Sequence, residues 1–330
     1  MEINAIILAA GKGTRMNSDL PKCAHKIIDK PMVQYVINVL QEVKIDQIVT
    51  VIGYGKEKII EILGNDSQFV EQKEQLGTAH AVMQAAPILE NKAGITIIAI
   101  GDMPFIRKET IYALLINHMK EAADLTVLTV DHPQPYGYGR IIRDSNDQVA
   151  AIVEERDCTK GQTLIKEINS SVYAIDNEKL FKYIKLINNH NDQNEYYLTD
   201  LVKVFNEKKL KVCAYKTNDY NELSGINTKS QLLEMEQKFQ RRIIEKHIDN
   251  NPLTNTIGKD VKIEPGCEIG PNVMLTGKTV IKKNSRIGFG TVIHNSFIDE
   301  DVSTELAYIK NSSIEKGMQI HPYTKIIKDI

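Results

Sequence analysis

Ala-Ile-Ile-Leu-Ala-Ala-Gly-Lys-Gly-Thr-Arg-Met-Asn-Ser-Asp-Leu-Pro-Lys, residues 5–22, runs an apolar strand straight into a loop with two glycines and two cations behind it. The strand, Ile3 to Ala9, is of the buried type; Gly11 and Gly13 follow, then Arg15 and Lys22. Glycine lacks the Cβ that would keep backbone N–H groups away from a phosphate chain, and it reaches φ > 0. Arg15 and Lys22 can then neutralise charge that develops during transfer. The loop is not a Walker A, because no Gly-Lys-[Ser/Thr] closes it, and not Gly-x-Gly-x-x-Gly, because residue 16 is Met. A bare Gly-x-Gly is equally a tight strand-to-helix turn; Thr14, Arg15 and Leu20-Pro21-Lys22 make this one specific.

Outward from that loop, residues 1–226 alternate short apolar runs with helical patterns. Strands are expected at Ile3–Ala9, Gln47–Ile52, Ile95–Ile100, Leu125–Val130, Val149–Val153 and Val172–Ile175, and helices at Met32–Glu42 and Thr110–Ala122 among others. Such alternation predicts an α/β domain, a doubly wound, mostly parallel, Rossmann-like sheet with helices on both faces. Ligands of such sheets sit at the carboxyl ends of the strands, where Gly11 and the Gly101-Asp102 pair both fall.

Residues 228–248 contain no Gly or Pro, and Leu232, Met235, Phe239 and Ile243 recur at three- and four-residue steps. They predict one long amphipathic linker helix, ended by Asn250-Asn251-Pro252. Beyond it Ile257, Ile263, Ile269, Leu275, Ile281, Ile287 and Ile293 recur every six residues. The phase slips near Phe297, and Ile314, Ile320 and Ile326 resume it. A six-residue aliphatic repeat is the pattern of a left-handed parallel β-helix, here short, with roughly four coils of three hexads. The expected domains are therefore 1–227, a linker helix 228–250, and a β-helix 251–330.

A chain of 330 residues, 42% hydrophobic and 25% charged, can bury a sizeable core, and its net charge of −2 gives no electrostatic reason to expect nucleic acid or an anionic membrane. Anionic substrates must then be met by local cations and backbone donors. Cys23, Cys158, Cys213 and Cys267 show no metal-ligand spacing and are expected as reduced thiols. No apolar run approaches the roughly 20 residues of a membrane helix, so a cytoplasmic protein without membrane insertion is expected.

Several residues outside the glycine loop can carry chemistry. Asp102 stands at a strand's carboxyl end; it is a Mg²⁺ ligand or a turn aspartate before Pro104. Glu74 to Ala81 reads as a turn entering a helix, whose backbone and amides could read a base edge. Gly137-Tyr138-Gly139-Arg140, after Pro133 and Pro135, is a rigid loop where backbone could approach a sugar. Glu154 and Asn169, beside apolar runs, could bind sugar hydroxyls. Asn227 is either the cap of the long helix or a neutral second metal ligand.

The residue 5–22 string resembles the signature of sugar-1-phosphate nucleotidyltransferases, and its Ser18-Asp19-Leu20-Pro21-Lys22 ending most resembles the bacterial N-acetylglucosamine-1-phosphate uridyltransferase branch. From Ala5 to Asn227, about two thirds of the chain, the motifs follow that family's order and spacing. The resemblance implies that Leu8, Ala9, Ala10, Gly11 and Gly13 wrap the nucleotide with Lys22. It implies that Gln72, Gly77 and Thr78 meet uracil, and that Gly101, Gly139, Glu154 and Asn169 hold the sugar. Asp102 and Asn227 match Mg²⁺ ligands, and Arg15 and Lys22 the catalytic cations. The implied reaction joins UTP and N-acetylglucosamine 1-phosphate into UDP-N-acetylglucosamine and pyrophosphate, for cell-envelope precursors. Two features depart from the family pattern: Ile100 stands where Tyr usually precedes Gly-Asp, and His132-Pro133-Gln134-Pro135 replaces the usual Asn-Pro-x loop. The C-terminal hexads resemble the family's β-helix, through which a homotrimer is expected. They lack the later coils with glucosamine-1-phosphate acetyltransferase residues, so that activity is not expected, and His294 and His321 read as solvated or packing residues. The alternatives are thymidylyl, guanylyl or adenylyl transfer, a non-catalytic regulatory subunit on the same fold, and a purely structural trimeric scaffold.

Overall fold

The computed structural model describes residues 1–247 and 255–328. Two compact units emerge: residues 1–25 with 31–227, and residues 26–30 with 228–330.

The first unit is built on a nine-stranded sheet. Strand β1 (Ile3–Leu8), the quoted apolar run, lies near its centre. The hairpin strands β2 (Lys26–Ile27) and β3 (Lys30–Pro31) follow, then α1 (Met32–Val43), β4 (Gln47–Ile52), α2 (Lys56–Leu63), β5 (Gln68–Glu71), α3 (Thr78–Met83) and α4 (Ala86–Leu89). Next come β6 (Ile95–Ile100), α5 (Lys108–Lys120), β7 (Leu125–Asp131), β8 (Arg140–Arg143), β9 (Val149–Val153), β10 (Glu167–Asp176), α6 (Asn177–Tyr183), α7 (Asp200–Glu207) and β11 (Val212–Thr217). The sheet order is β11-β7-β10-β6-β1-β4-β5, with the β8–β9 hairpin attached to β10. Strands β1, β4, β5 and β6 pair in parallel, as do β7 and β11. Apolar side chains fill both faces of β1: Ala5 and Ile7 join one core cluster, Ile6 the other. A strand buried on both faces reads as a continuous hydrophobic run rather than an alternating one.

Strand β10 runs antiparallel to both neighbours, β6 and β7, which the apolar pattern does not reveal because a run of Val and Ile carries no direction. Its register breaks between Asn169 and Tyr173, and Ser171 sits there at φ 62°. A bulge with a non-glycine residue in the left-handed region re-aims side chains and marks functional ground.

In the second unit, α8 (Lys229–His247) begins with a reciprocal cap: the Gln231 N–H donates to Thr228 Oγ1 and the Thr228 N–H to Gln231 Oε1, both at 3.1 Å. Thr228, not Asn227, therefore caps the long helix. Met235 of the expected apolar stripe is buried and Leu232 half-buried; the side chains of Phe239 and Ile243, and the Asn250-Asn251-Pro252 stop, lie outside the described residues.

From Thr256 on, two- and three-residue strands stack in parallel into three sheets of five, four and four strands, a left-handed β-helix. Ile257, Ile269, Leu275, Ile281, Ile287 and Ile293 point inward and are buried. Beyond Ile293 the inward positions are Ile298, Thr304, Ile309, Ile314, Ile320 and Ile326, paired Ile281–Ile298, Ile287–Thr304 and Ile293–Ile309. The phase slip is thus three five-residue steps, 293–298, 304–309 and 309–314, with a six-residue step, 298–304, between the first two. Corners are turned by residues at positive φ, among them Gly266, Asn272, Asn284, Gly290, Asn295, Asp301 and Asn311, the types that tolerate this region.

Candidate functional site

Because β1 and β6 are parallel neighbours, with Leu8 beside Ile100, their carboxyl ends open side by side. Strand β1 ends with its backbone spoken for: the Ala9 N–H donates to Val51 O and the Tyr54 N–H to Ala10 O, and both alanines are buried. Gly11 then faces open space, with nothing within 4 Å of where a Cβ would stand. Gly13, at φ 67°, has a different reason to be glycine: a Cβ there would come 2.5 Å from Cβ of Lys22. It lets the lysine stem fold back over the loop. Arg15 rides a short 3₁₀ turn, Thr14–Met16, whose third residue is fully buried and anchors it.

Four residues expected from the sequence converge at these strand ends. Lys22 Nζ donates to Asn227 Oδ1 at 2.7 Å and forms an ion pair with Asp102, while Arg15 Nη2 donates to the same Asn227 oxygen at 2.9 Å. Asp102 is 8% exposed, and its Oδ1 is buried without a hydrogen-bond partner. The backbone joins the two ligand candidates, since the Ile226 N–H donates to Asp102 O at 3.1 Å. Between them Gly225 keeps the space clear: a Cβ there would stand 3.7 Å and 3.8 Å from the Asp102 carboxylate oxygens and 3.8 Å from the Asn227 amide nitrogen. An orphaned carboxylate oxygen with an amide beside it fits a hard divalent cation that keeps water and phosphate as its remaining ligands. No group of three His, Cys, Asp or Glu suited to a metal occurs among the described residues, so softer transition-metal chemistry finds no donor set there.

Beneath Asp102, Cys23 is buried; burial, and then the negative charge of Asp102, push its thiol up to about 12, so it is no nucleophile. Gly101, expected at the sugar, packs against it, its own N–H donated to Leu8 O.

A second cluster gathers at the start of α3. Gln72, nearly fully buried, donates through Nε2 to Gly77 O at 3.0 Å, with His80 Nδ1 also 3.0 Å away. Gly77 sits at φ 114°, and a Cβ would meet the Tyr196 carbonyl oxygen at 2.5 Å. That closeness comes from a zipper: the Tyr196 N–H donates to Leu76 O, the Ala79 N–H to Tyr196 O, and the Leu198 N–H to Thr78 Oγ1. The 196–199 segment escaped the sequence reading, although its Tyr-Tyr-Leu-Thr run after the polar stretch 188–195 was the available signal.

The third cluster surrounds the bulge. Asn169 Oδ1 accepts the Ser171 N–H at 3.0 Å and so holds the turn, and the Asn169 N–H donates to Gly139 O at 2.9 Å. Glu154 accepts from Thr199 Oγ1 at 3.1 Å; burial raises its carboxyl above the usual range against that hydrogen bond. A Cβ on Gly139 would lie 3.0 Å from Ile152 and 3.5 Å from Glu154 Oε2. Gly139, Glu154 and Asn169 are therefore brought together, whereas Gly101, expected with them, packs against Cys23 instead. A cavity of about 520 Å³ lies elsewhere, along one β-helix face between Glu268, Arg286 and His321, and gathers none of these residues. His294 Nδ1 lies at hydrogen-bond distance, 2.8 Å, from Thr276 Oγ1 on the neighbouring coil.

A doubly wound sheet whose strand ends gather a glycine loop, two cations, a carboxylate and an amide defines a nucleotidyltransferase. Residues 5–170 match the MobA-like NTP transferase domain, and residues 256–295 match the bacterial transferase hexapeptide (six repeats). Over 327 residues the chain is 42% identical to the bifunctional protein GlmU of Listeria monocytogenes serotype 4a, covering 98% of this chain and 72% of that protein. Against the GlmU of Streptococcus sanguinis the figures are 41%, 98% and 71%. The chain belongs to the GlmU family, and its activity is uridylyl transfer to form UDP-N-acetylglucosamine for the cell wall, with a divalent metal.

Proposed function

We propose that the four-residue convergence of Arg15, Lys22, Asp102 and Asn227 is the phosphoryl-transfer centre, with UTP and N-acetylglucosamine 1-phosphate as substrates and Mg²⁺ as the metal. That convergence is the observation that carries the reading. Asp102 and Asn227 supply two oxygens, as many as Mg²⁺ takes where phosphates and water complete its shell. Bound there, Mg²⁺ draws charge off the phosphate oxygens. A phosphate oxygen of the sugar attacks the α-phosphorus of UTP in line; the new P–O bond forms as the bond to the β-phosphate breaks, and pyrophosphate departs. The nucleophile is already an anion, so no general base is needed, in keeping with the absence of any histidine from the four-residue cluster. Arg15 and Lys22 hold the charge that moves toward pyrophosphate, Gly11 gives the phosphates passage, and Leu8, Ala9 and Ala10 form the floor. Gln72, with its amide nitrogen turned to Gly77, keeps Oε1 for uracil, beside Gly77 and Thr78. Gly139, Glu154 and Asn169 receive the sugar.

Pyrophosphate release is expected with UTP and N-acetylglucosamine 1-phosphate and only with Mg²⁺ added; faster turnover with another nucleotide would overturn the uridylyl assignment. Lys22→Ala and Arg15→Ala should each cut kcat by about 10²–10³, the scale of one lost preorganised donor. Normal turnover in both would refute the catalytic assignment.

The β-helix supports a homotrimer. Its first sheet turns Thr256, Met274, Val292, Tyr308 and Lys325 outward and its second Lys262, Val280, Phe297 and Ser313, with Met274, Phe297 and Tyr308 about 40% exposed; the third presents Glu268, Arg286, Ser303 and Gln319. Two different faces with apolar centres on one prism suit a heterologous contact that closes as a ring. Light scattering should give about three times the 37.2 kDa chain mass, and a monomer mass would refute the trimer. We also expect these 330 residues to release no coenzyme A from acetyl-CoA and glucosamine 1-phosphate above background. The cytoplasm, where thiols such as the four free cysteines stay reduced, is the proposed location. No helix among the described residues is long and apolar enough to cross a membrane.

A further inference from the structure

His132, just past the end of β7, stands in the loop that departs from the family pattern, and none of the roles above uses it. Its N–H donates to Lys166 O at 2.9 Å, which fixes its backbone on the neighbouring strand's approach. Its ring lies between two tyrosines: centroids are 5.3 Å apart for Tyr138, tilted at 34°, and 5.1 Å apart for Tyr220, edge-on at 74°. Nδ1 accepts the Gln134 N–H at 3.0 Å, which places the imidazole proton on Nε2. Nε2 faces Ser224 Oγ at 3.5 Å, a long contact, and because that hydroxyl donates to Tyr220 O at 2.7 Å, its oxygen is left to accept from the ring. The Tyr138 phenol joins the same cluster, hydrogen-bonded to the Ser224 side chain and the Gly225 backbone while burial keeps it neutral.

One ring therefore links two loops. The first, residues 133–139, ends at Gly139; Pro133, Gln134, Tyr136 and Gly137 are exposed, with Tyr136 at 79%. The second, residues 219–227, ends at Asn227 and is already fixed from the other side. Arg107 grips Glu222 at 2.8 and 3.0 Å and Asp219 at 3.0 Å, and Ile226 is bonded to Asp102. The well-anchored segment thus holds the exposed one through His132 and Tyr138.

We propose that His132 is a positioning residue that sets the gap between Gly139, at the sugar end, and the Asp102–Asn227 pair, at the phosphate end, and so selects the hexose 1-phosphate acceptor. A gap of fixed length matches one acceptor; a loop free to drift accepts several and binds each less well. The nucleotide end, at Gln72, Gly77 and Thr78, hangs on the 196–198 zipper rather than on this clamp. The inference rests on the sugar and metal assignments proposed above.

The test compares His132→Ala and His132→Phe with the wild-type full chain. His132→Ala should raise KM for N-acetylglucosamine 1-phosphate about tenfold, the scale of one lost aromatic pair, and narrow the preference over glucose 1-phosphate, while KM for UTP stays within about twofold. His132→Phe keeps both ring contacts and should bring the sugar-phosphate KM back to within about threefold. A merely structural histidine would move both KM values together and would not be rescued by Phe; either result overturns the proposal. Limited chymotrypsin cleavage after Tyr136 reads the clamp without substrate and should be faster in His132→Ala. Unchanged cleavage refutes the clamp itself. Faster cleavage with an unmoved sugar-phosphate KM refutes instead the placing of the acceptor between Gly139 and Asn227.

Discussion

Asp102→Asn is expected to lower kcat by about three orders of magnitude while leaving thermal unfolding nearly where it was, because it removes a charge and almost no volume. The carboxylate is the one anionic group among the four that converge, so no neighbour can take over its attraction for a divalent cation. Its Oδ1 has no hydrogen-bond partner to lose; Oδ2 gives up the charge of its ion pair with Lys22, which keeps its bond to Asn227. The backbone bond from Ile226 to the residue 102 carbonyl is indifferent to the side chain. Asn227→Ala should cost less, since a neutral oxygen binds Mg²⁺ more weakly than a carboxylate does. Steady-state rates across a Mg²⁺ titration check both. Turnover of Asp102→Asn within threefold of wild type at saturating Mg²⁺ would mean that the metal is held elsewhere.

How far the sequence reached can be judged from particular residues. Strands whose two faces are both buried announce themselves as apolar runs, and Gln47–Ile52 and Ile95–Ile100 are found where the pattern put them, as is the less buried Val149–Val153. β10 was half hidden, because the polar Asn169-Ser170-Ser171 interrupts its apolar run at the bulge, and its direction is set by pairing with β6 and β7 rather than by composition. The β-helix was legible from its aliphatic step until the step shortened. From there the corner residues carried the missing signal. Asn295, Asp301, Leu306 and Asn311 hold positive φ and each stands three residues before the inward position, whatever the step length. In the site, Asn227 had two readings, cap or metal ligand; Thr228 and Gln231 cap the helix, and the asparagine Oδ1 accepts from Lys22 and Arg15 instead. Gly11 and Gly13 looked alike in sequence, yet one borders open space and the other accommodates a lysine stem. Hairpin residues 26–30 gave no hint that they pack with the second unit, with Asp29 Oδ2 accepting the Gly277 N–H at 3.1 Å, since such a partnership lies almost 250 positions away in the chain.

The glycines also yield the sharpest contrast in expected outcome. Gly77→Ala should lower kcat/KM for UTP by about a hundredfold, because displacing a binding loop by an ångström is enough for such a loss. The cost is dictated twice over. At φ 114° an alanine is strained whatever room it has, and its Cβ would press on backbone: 2.5 Å from the Tyr196 carbonyl oxygen and 2.7 Å from the Tyr196 nitrogen. No side chain can swing aside to relieve the clash. The zipper from Leu76 to Leu198 must open, and it holds both Thr78 and the Gly77 carbonyl that fixes Gln72. Gly11→Ala provides the contrast, since its Cβ would meet nothing within 4 Å. It should unfold at the wild-type temperature, yet bind UTP more weakly if phosphates pass over residue 11. Calorimetric unfolding and UTP kinetics on the two variants separate the cases. Wild-type stability together with wild-type UTP kinetics in Gly77→Ala would show that the uracil end of the site lies away from this turn, and the same pair of results in Gly11→Ala would move the phosphate path off the loop.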